Sequence, residues 1–191
     1  MQPDIHDDEP ILSGRVFWIT GLSGSGKTTV AMQLHQRWIE LGNETLLLDG
    51  DEVRSLFGSD LGHEAEDREV SAWRNARMCV SLAEAGFDVI CATISMFEDV
   101  RSWLRENAPG YLEIFLRVPE QERRTRDPKG LYEQASSNQG LMAGLNQSCD
   151  LPVAPDLILD NHDDLTPKIC VERILELAHS STSARVPAAT S

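Results

Sequence analysis

Positive charge is what this chain has least of: 17 Lys and Arg stand against 31 Asp and Glu, a net charge of -14 over 191 residues. That balance excludes a nucleic-acid or anionic-membrane surface as the main partner, and it means that any anionic ligand is gathered by a local cluster of cations. Cysteine is sparse too. Cys79, Cys91, Cys149 and Cys170 are scattered and show no CxxC spacing, which excludes a disulfide-stapled scaffold and leaves reduced thiols as the reading. No apolar run approaches the roughly 20 residues that span a bilayer, and the acidic start "MQPDIHDDEP" has no apolar leader. The expectation is a cytoplasmic protein with no membrane partner. Internal repeats are absent as well, and the length suits one domain with a sizeable core. The folded unit is expected over 11–179, between flexible tails at 1–10 and 180–191.

Within that unit, short apolar runs rich in β-formers alternate with helical patterns. "RVFWIT", "ETLLLD", "FDVICATI", "YLEIFLRV" and "PDLILD" read as five buried strands. "KTTVAMQLHQRWIEL", "DREVSAWRNARMCVSLAEA", "FEDVRSWLREN" and "TPKICVERILELAH" read as helices between or after them. Continuous rather than alternating apolar strands predict an α/β fold: a five-stranded parallel sheet with helices on both faces. In such a sheet, ligands bind beyond the carboxyl ends of the strands.

The loop after the first strand carries the strongest signal. "GLSGSGKT", Gly21 to Thr28, fits G-x-x-x-x-G-K-[ST] between a strand and a helix. Its glycines let backbone N–H groups turn toward phosphates, and the helix dipole adds to them. The nucleotide-binding set is Gly21, Ser23, Gly24, Ser25, Gly26, Lys27, Thr28 and Thr29, with Lys27 on the β/γ phosphates of ATP and the Thr28 hydroxyl on Mg²⁺.

Two absences narrow the class. A guanine-reading Asn-Lys-x-Asp does not occur, and the third strand ends in Ser95 where a motor or helicase would place an Asp. The acids instead follow the second strand: "LLLDGDEVR" sets Asp49 and Asp51 in a loop beside the phosphate loop. A carboxylate there suits a small-molecule kinase, as proton acceptor for an attacking hydroxyl or as a metal-water partner. A solvated turn built around Gly50 is the plainer alternative.

"GLSGSGKTT", "LDGDEVR", "DLGHEAEDRE" and "RDPKGLY", in this order and spacing, resemble the adenylylsulfate kinase (APS kinase) family over about Val16 to Asp160. The resemblance implies a P-loop kinase fold with a lid at about 127–154, and transfer of the ATP γ-phosphate to the ribose 3′-hydroxyl of adenosine 5′-phosphosulfate. It implies Asp51, Lys27 and Lys129 as catalytic residues, Thr28 and Asp51 at the metal, and Arg126 near the ATP adenine. Asp49, Arg54, His63, Arg68, Ser71, Ser95, Lys129 and Met142 would meet the acceptor, and a homodimer is the implied assembly. Arg123 and Arg124 read as the solvated face of the helix before the lid.

The chain also departs from that pattern. His63 and Met142 stand where the family offers two phenylalanines for the acceptor adenine, and Ser71 stands where it offers an asparagine. "SMF" at Ser95 to Phe97 replaces Ser-Pro-Tyr, and "NQSCD" replaces Asp-Asp-Pro-Tyr-Glu. Stacking is worth roughly 1 to 3 kcal/mol per base, so the base is the open point. "CATISMF" is similar to cytidine diphosphoramidate kinases, which keeps a cytidine acceptor beside the adenine one. A nucleotide-binding regulatory subunit without transfer is the alternative of another class.

Overall fold

The computed structural model describes residues 13–57, 61–62, 64–126, 149–162 and 165–183. Five strands form one parallel sheet in the order β2-β3-β1-β4-β5: β1 (Val16–Thr20), β2 (Thr45–Asp49), β3 (Asp88–Thr93), β4 (Leu112–Arg117) and β5 (Leu157–Asp160). β1 lies at the centre, with Val16 opposite Val89 on β3 and Phe17 opposite Leu112 on β4. Every residue of β1 and β3 is buried, as unbroken apolar runs require of strands covered on both faces.

Side chains alternate across the sheet and sort the helices into two layers. Phe17 and Ile19 point to the face covered by α1 (Lys27–Glu40) and by the C-terminal helix α6 (Pro167–Ser183), where Val30, Leu34, Trp38 and Ile174 complete the core. Val16 and Trp18 point to the other face, against Ala76 and Cys79 of α3 (Ala65–Glu84) and Val100 and Leu104 of α4 (Glu98–Asn107). The sheet and the helices on both faces are those expected from the sequence.

Two short helices lie at the carboxyl edge. α2 (Gly50–Phe57) follows β2 without a break, and α5 (Glu120–Arg126) follows β4. The sequence reading placed a loop where α2 stands. The Asp49 carboxylate caps this helix, accepting the Asp51 N–H through Oδ1 at 2.9 Å, and Asp51 and Glu52 favour its positive end. Gly50 has no positive φ; it is small because a Cβ there would sit 2.9 Å from Thr93 Oγ1. At the other end of the chain, α6 runs to Ser183, past the boundary expected at 179.

A buried ion cluster holds α4 on the sheet. Arg101 and Glu113, both almost fully buried, meet at 3.1 Å, and Arg105 reaches the second Glu113 oxygen at 2.5 Å. Burial pushes the Glu113 carboxyl up from its ordinary range, and Arg101 and Arg105 pull it back. The stretch Ser95–Phe97, which enters α4, is thereby fixed at the end of β3. No described helix is long and apolar enough to cross a membrane.

Candidate active site

The phosphate loop leaves β1 at Gly21 and enters α1 at Lys27. Gly24 and Gly26 adopt φ of 79° and 87°, a region that costs L-residues strain. Gly26 is the N-cap of α1 and supplies no capping side chain, so the first-turn N–H groups stay available to an anion. Ser25 is fully buried and its Oγ has no hydrogen-bond partner. Lys27 Nζ donates to the Leu22 carbonyl at 3.1 Å, which lays the ammonium back across the loop. Ser23 lies in the loop, and Thr28 and Thr29 are exposed on the first turn of α1.

The second strand brings its acids to this loop. Thr28 Oγ1 donates to Asp49 Oδ2 at 2.8 Å, while the other Asp49 oxygen caps α2. The carboxylate hydrogen-bonded to Thr28 is therefore Asp49, whereas the sequence reading paired Thr28 with Asp51. No group of three or more His, Cys, Asp or Glu able to hold a metal occurs among the described residues. A Mg²⁺ shared with phosphates needs only one or two protein oxygens, and Thr28 with Asp49 provides them.

Asp51, exposed on the first turn of α2, comes together with Arg54 and Arg68. Burial lowers the affinity of the Arg68 guanidinium for its proton, the nearby Arg54 charge lowers it further, and Asp51 opposes both. Arg54 and Arg68 are thus near enough to feel each other's charge, with Asp51 as the opposing charge beside them. Arg54 Nη2 is buried with no hydrogen-bond partner. Ser71, Arg54 and Val53 share a cavity of about 390 Å³ with Phe57, Arg74 and Asn75. Ser95 is buried at the mouth of α4 and its Oγ is unpartnered. His63, Lys129 and Met142 lie outside the described residues.

Four residues join this site that sequence reasoning did not single out or misread. Asn161, one residue past β5, donates from Nδ2 to the Ser25 carbonyl at 2.8 Å, and its own carbonyl accepts Arg126 Nη2 at 2.9 Å. Its place beyond a strand's carboxyl end was the available signal. Arg123 is buried rather than solvated: Nε donates to the Val118 carbonyl at 3.1 Å, and its backbone carbonyl would lie 2.9 Å from a Cβ on Gly24. Arg124 is the exposed neighbour, paired with Glu120. Asn75 and Phe57 line the cavity beside Arg54, and no motif marks them.

One thiol supports this arrangement: Cys170 Sγ donates to Asn161 Oδ1 at 3.7 Å. Cys79, Cys91 and Cys170 are buried, and contact with Cys79 followed by burial raises the Cys91 thiol well above its ordinary range, which keeps it unreactive.

Comparison with known proteins bears on this geometry. Residues 13–160 match the family model described as adenylylsulphate kinase. An adenylyl-sulfate kinase of Paraburkholderia xenovorans is 38% identical over 175 residues, covering 91% of this chain and 96% of its own. The bifunctional enzyme NodQ of Azospirillum brasilense is 38% identical over 167 residues; the match takes in 86% of this chain and only 27% of NodQ. Among solved structures, the Mycobacterium tuberculosis APS kinase CysC in complex with AMPPNP and APS superposes with a TM-score of 0.81 at 31% identity, over 87% of this chain and 98% of that one. A hexameric APS kinase from Thiobacillus denitrificans gives 0.65 at 27% identity, over 88% of this chain and 29% of that one. With its phosphate loop, acid-bearing α2 and paired arginines in one crevice, the chain belongs to the adenylylsulphate kinase family.

Proposed function

We propose that this protein transfers the γ-phosphate of ATP to the ribose 3′-hydroxyl of adenosine 5′-phosphosulfate. The observation that carries the reading is the hydrogen bond from Thr28 on the donor loop to Asp49 at the head of α2, which joins a phosphate site to the helix that bears Asp51 and Arg54. Lys27 and the loop amides hold the donor phosphates. Arg54 and Arg68 take the 5′ anion, and their forks orient the ribose so that its 3′-hydroxyl meets Asp51. The O3′–Pγ bond forms as the bond from Pγ to the β,γ-bridging oxygen breaks; the hydroxyl proton passes to Asp51, and ADP leaves.

Mg²⁺ fits at Thr28 and Asp49, with Asp51 beside them; when bound, it supplies neutralisation of charge across the β and γ phosphates. Arg126 closes one side of the donor loop through Asn161, and Lys129 belongs to the lid proposed at about 127–154. The proposed setting is the cytoplasm and the proposed assembly a homodimer, which sedimentation of the purified chain reads against a hexamer like that of the Thiobacillus protein.

An ATP-to-ADP assay run in parallel with adenosine 5′-phosphosulfate and cytidine diphosphoramidate tests the acceptor. Turnover with the adenine nucleotide at low concentration supports the reading. Preference for the cytidine compound, which "CATISMF" and the replaced phenylalanines favour, moves the same chemistry to another base. ATP binding without turnover of either leaves a regulatory protein, and loss of turnover in EDTA with recovery on added Mg²⁺ is expected of the enzyme.

A further inference from the structure

Asn161 is tied to four elements around the phosphate loop. Its N–H donates to the Arg117 carbonyl of β4 at 3.0 Å, and its carbonyl accepts Arg126 from α5 at 2.9 Å. Its Nδ2 donates to the Ser25 carbonyl of the loop at 2.8 Å, and its Oδ1 accepts Cys170 Sγ from the first turn of α6 at 3.7 Å. Asn161 is 4% exposed, and Ser25 and Cys170 are fully buried. The two main-chain bonds fix the place of the residue, and the two side-chain bonds fix which way its amide faces.

That amide has one favourable sense. Burial raises the Cys170 thiol above its ordinary range, so it stays protonated and acts as a donor. An amide turned over would set its NH₂ against the S–H and its oxygen against the Ser25 carbonyl, pairing donor with donor and acceptor with acceptor. The thiol on α6 therefore selects the edge that Asn161 offers to the loop. The Ser25–Gly26 peptide is planar and trans, so its carbonyl and its N–H point to opposite sides, and the Gly26 N–H faces away from Asn161. A Cβ on Gly26 would meet Asn161 Nδ2 at 2.6 Å. The peptide is seated against the amide and cannot turn without displacing it.

We propose that Asn161 and Cys170 are positioning residues for the phosphate donor: the thiol orients the amide, the amide holds the Ser25 carbonyl, and the Gly26 N–H is thereby aimed at the ATP phosphates. The inference rests on the reading of Gly21 to Thr28 as the ATP loop, and it gives neither side chain a contact with the nucleotide. A donor set in place before the nucleotide arrives costs no ordering on binding, and a donor no longer aimed is felt as lost ATP affinity.

The test titrates the full chain with a non-hydrolysable ATP analogue and Mg²⁺ by calorimetry, with the KM for ATP and for the acceptor measured beside it. Asn161→Leu keeps the shape without the donor and is expected to weaken the analogue about fivefold, and Cys170→Ala about threefold, while the acceptor KM changes by less than about twofold in both. Cys170→Ser keeps a donor and restores the wild-type affinity to within about twofold. The double variant Asn161→Leu with Cys170→Ala loses about fivefold rather than about fifteenfold, because the thiol acts only through the amide. Losses that multiply in the double variant overturn the proposal, as does wild-type affinity in Asn161→Leu, which leaves the asparagine a space-filling role. Should Asn161→Leu fail to fold, the two Cys170 variants decide, and equal affinities of the Ala and Ser forms overturn it. A wild type that does not bind the analogue rejects the ATP-loop reading itself, and the positioning pair with it.

Discussion

The donor loop is made of backbone and the acceptor wall of side chains, and the contrast explains why one is regular and the other free to change. Around the donor, Gly24 and Gly26 take conformations that few other residues tolerate, and a Cβ on either meets Arg123 or Asn161. The requirement is geometric, so it appears as a fixed motif. On the proposed acceptor side, Arg54, Arg68 and Ser71 project from α2 and α3, whose backbones would be helical with many other residues.

Four experiments break or sharpen this division. The largest effect is expected from Asp51→Ala, which should lower kcat by about 10² to 10⁴ with the ATP dissociation constant little changed; a parallel loss of ATP binding would dissolve the boundary between the halves. Arg68→Ala comes next. Loss of charge-assisted hydrogen bonds worth about 1.5 to 3 kcal/mol should raise the acceptor KM about 10- to 150-fold and leave the KM for ATP alone. Gly26→Ala probes the opposite half: a Cβ 2.6 Å from Asn161 Nδ2 at φ 87° should cost about 1 to 3 kcal/mol in urea unfolding and weaken ATP while sparing the acceptor. Asn161→Ala is the mildest. Removing its bond to the Ser25 carbonyl should weaken ATP by about 0.5 to 1.5 kcal/mol, read by calorimetry, and an equal effect on the acceptor would show that the strap serves both sides.

The same contrast decides what was legible in the sequence. The strands announce themselves as unbroken apolar runs, and the phosphate loop as a motif in its strand-loop-helix setting. α2 did not, because "DGDEVR" carries a glycine and acids that mark a turn as readily as a helix start; the cap from Asp49 and the closeness of Thr93 are tertiary facts. Arg123 reads as solvated in an acidic, arginine-rich helix, and only the fold buries it. Asn161, Asn75 and Phe57 are single residues whose meaning depends on which element lies opposite, and periodicity says nothing of that. His63 and Met142, where the family offers its aromatics, lie outside the described residues.

Asp49 uses one carboxylate oxygen on Thr28 and the other on the backbone of Asp51. In effect it is a spacer of fixed length between the place where a phosphate is given and the place where it is received. Asp49→Glu would keep every charge and both acceptors but add one carbon, about 1.5 Å, between the two anchor points. Distance and electrostatics, which nearly every other substitution in the crevice alters together, come apart at this one position.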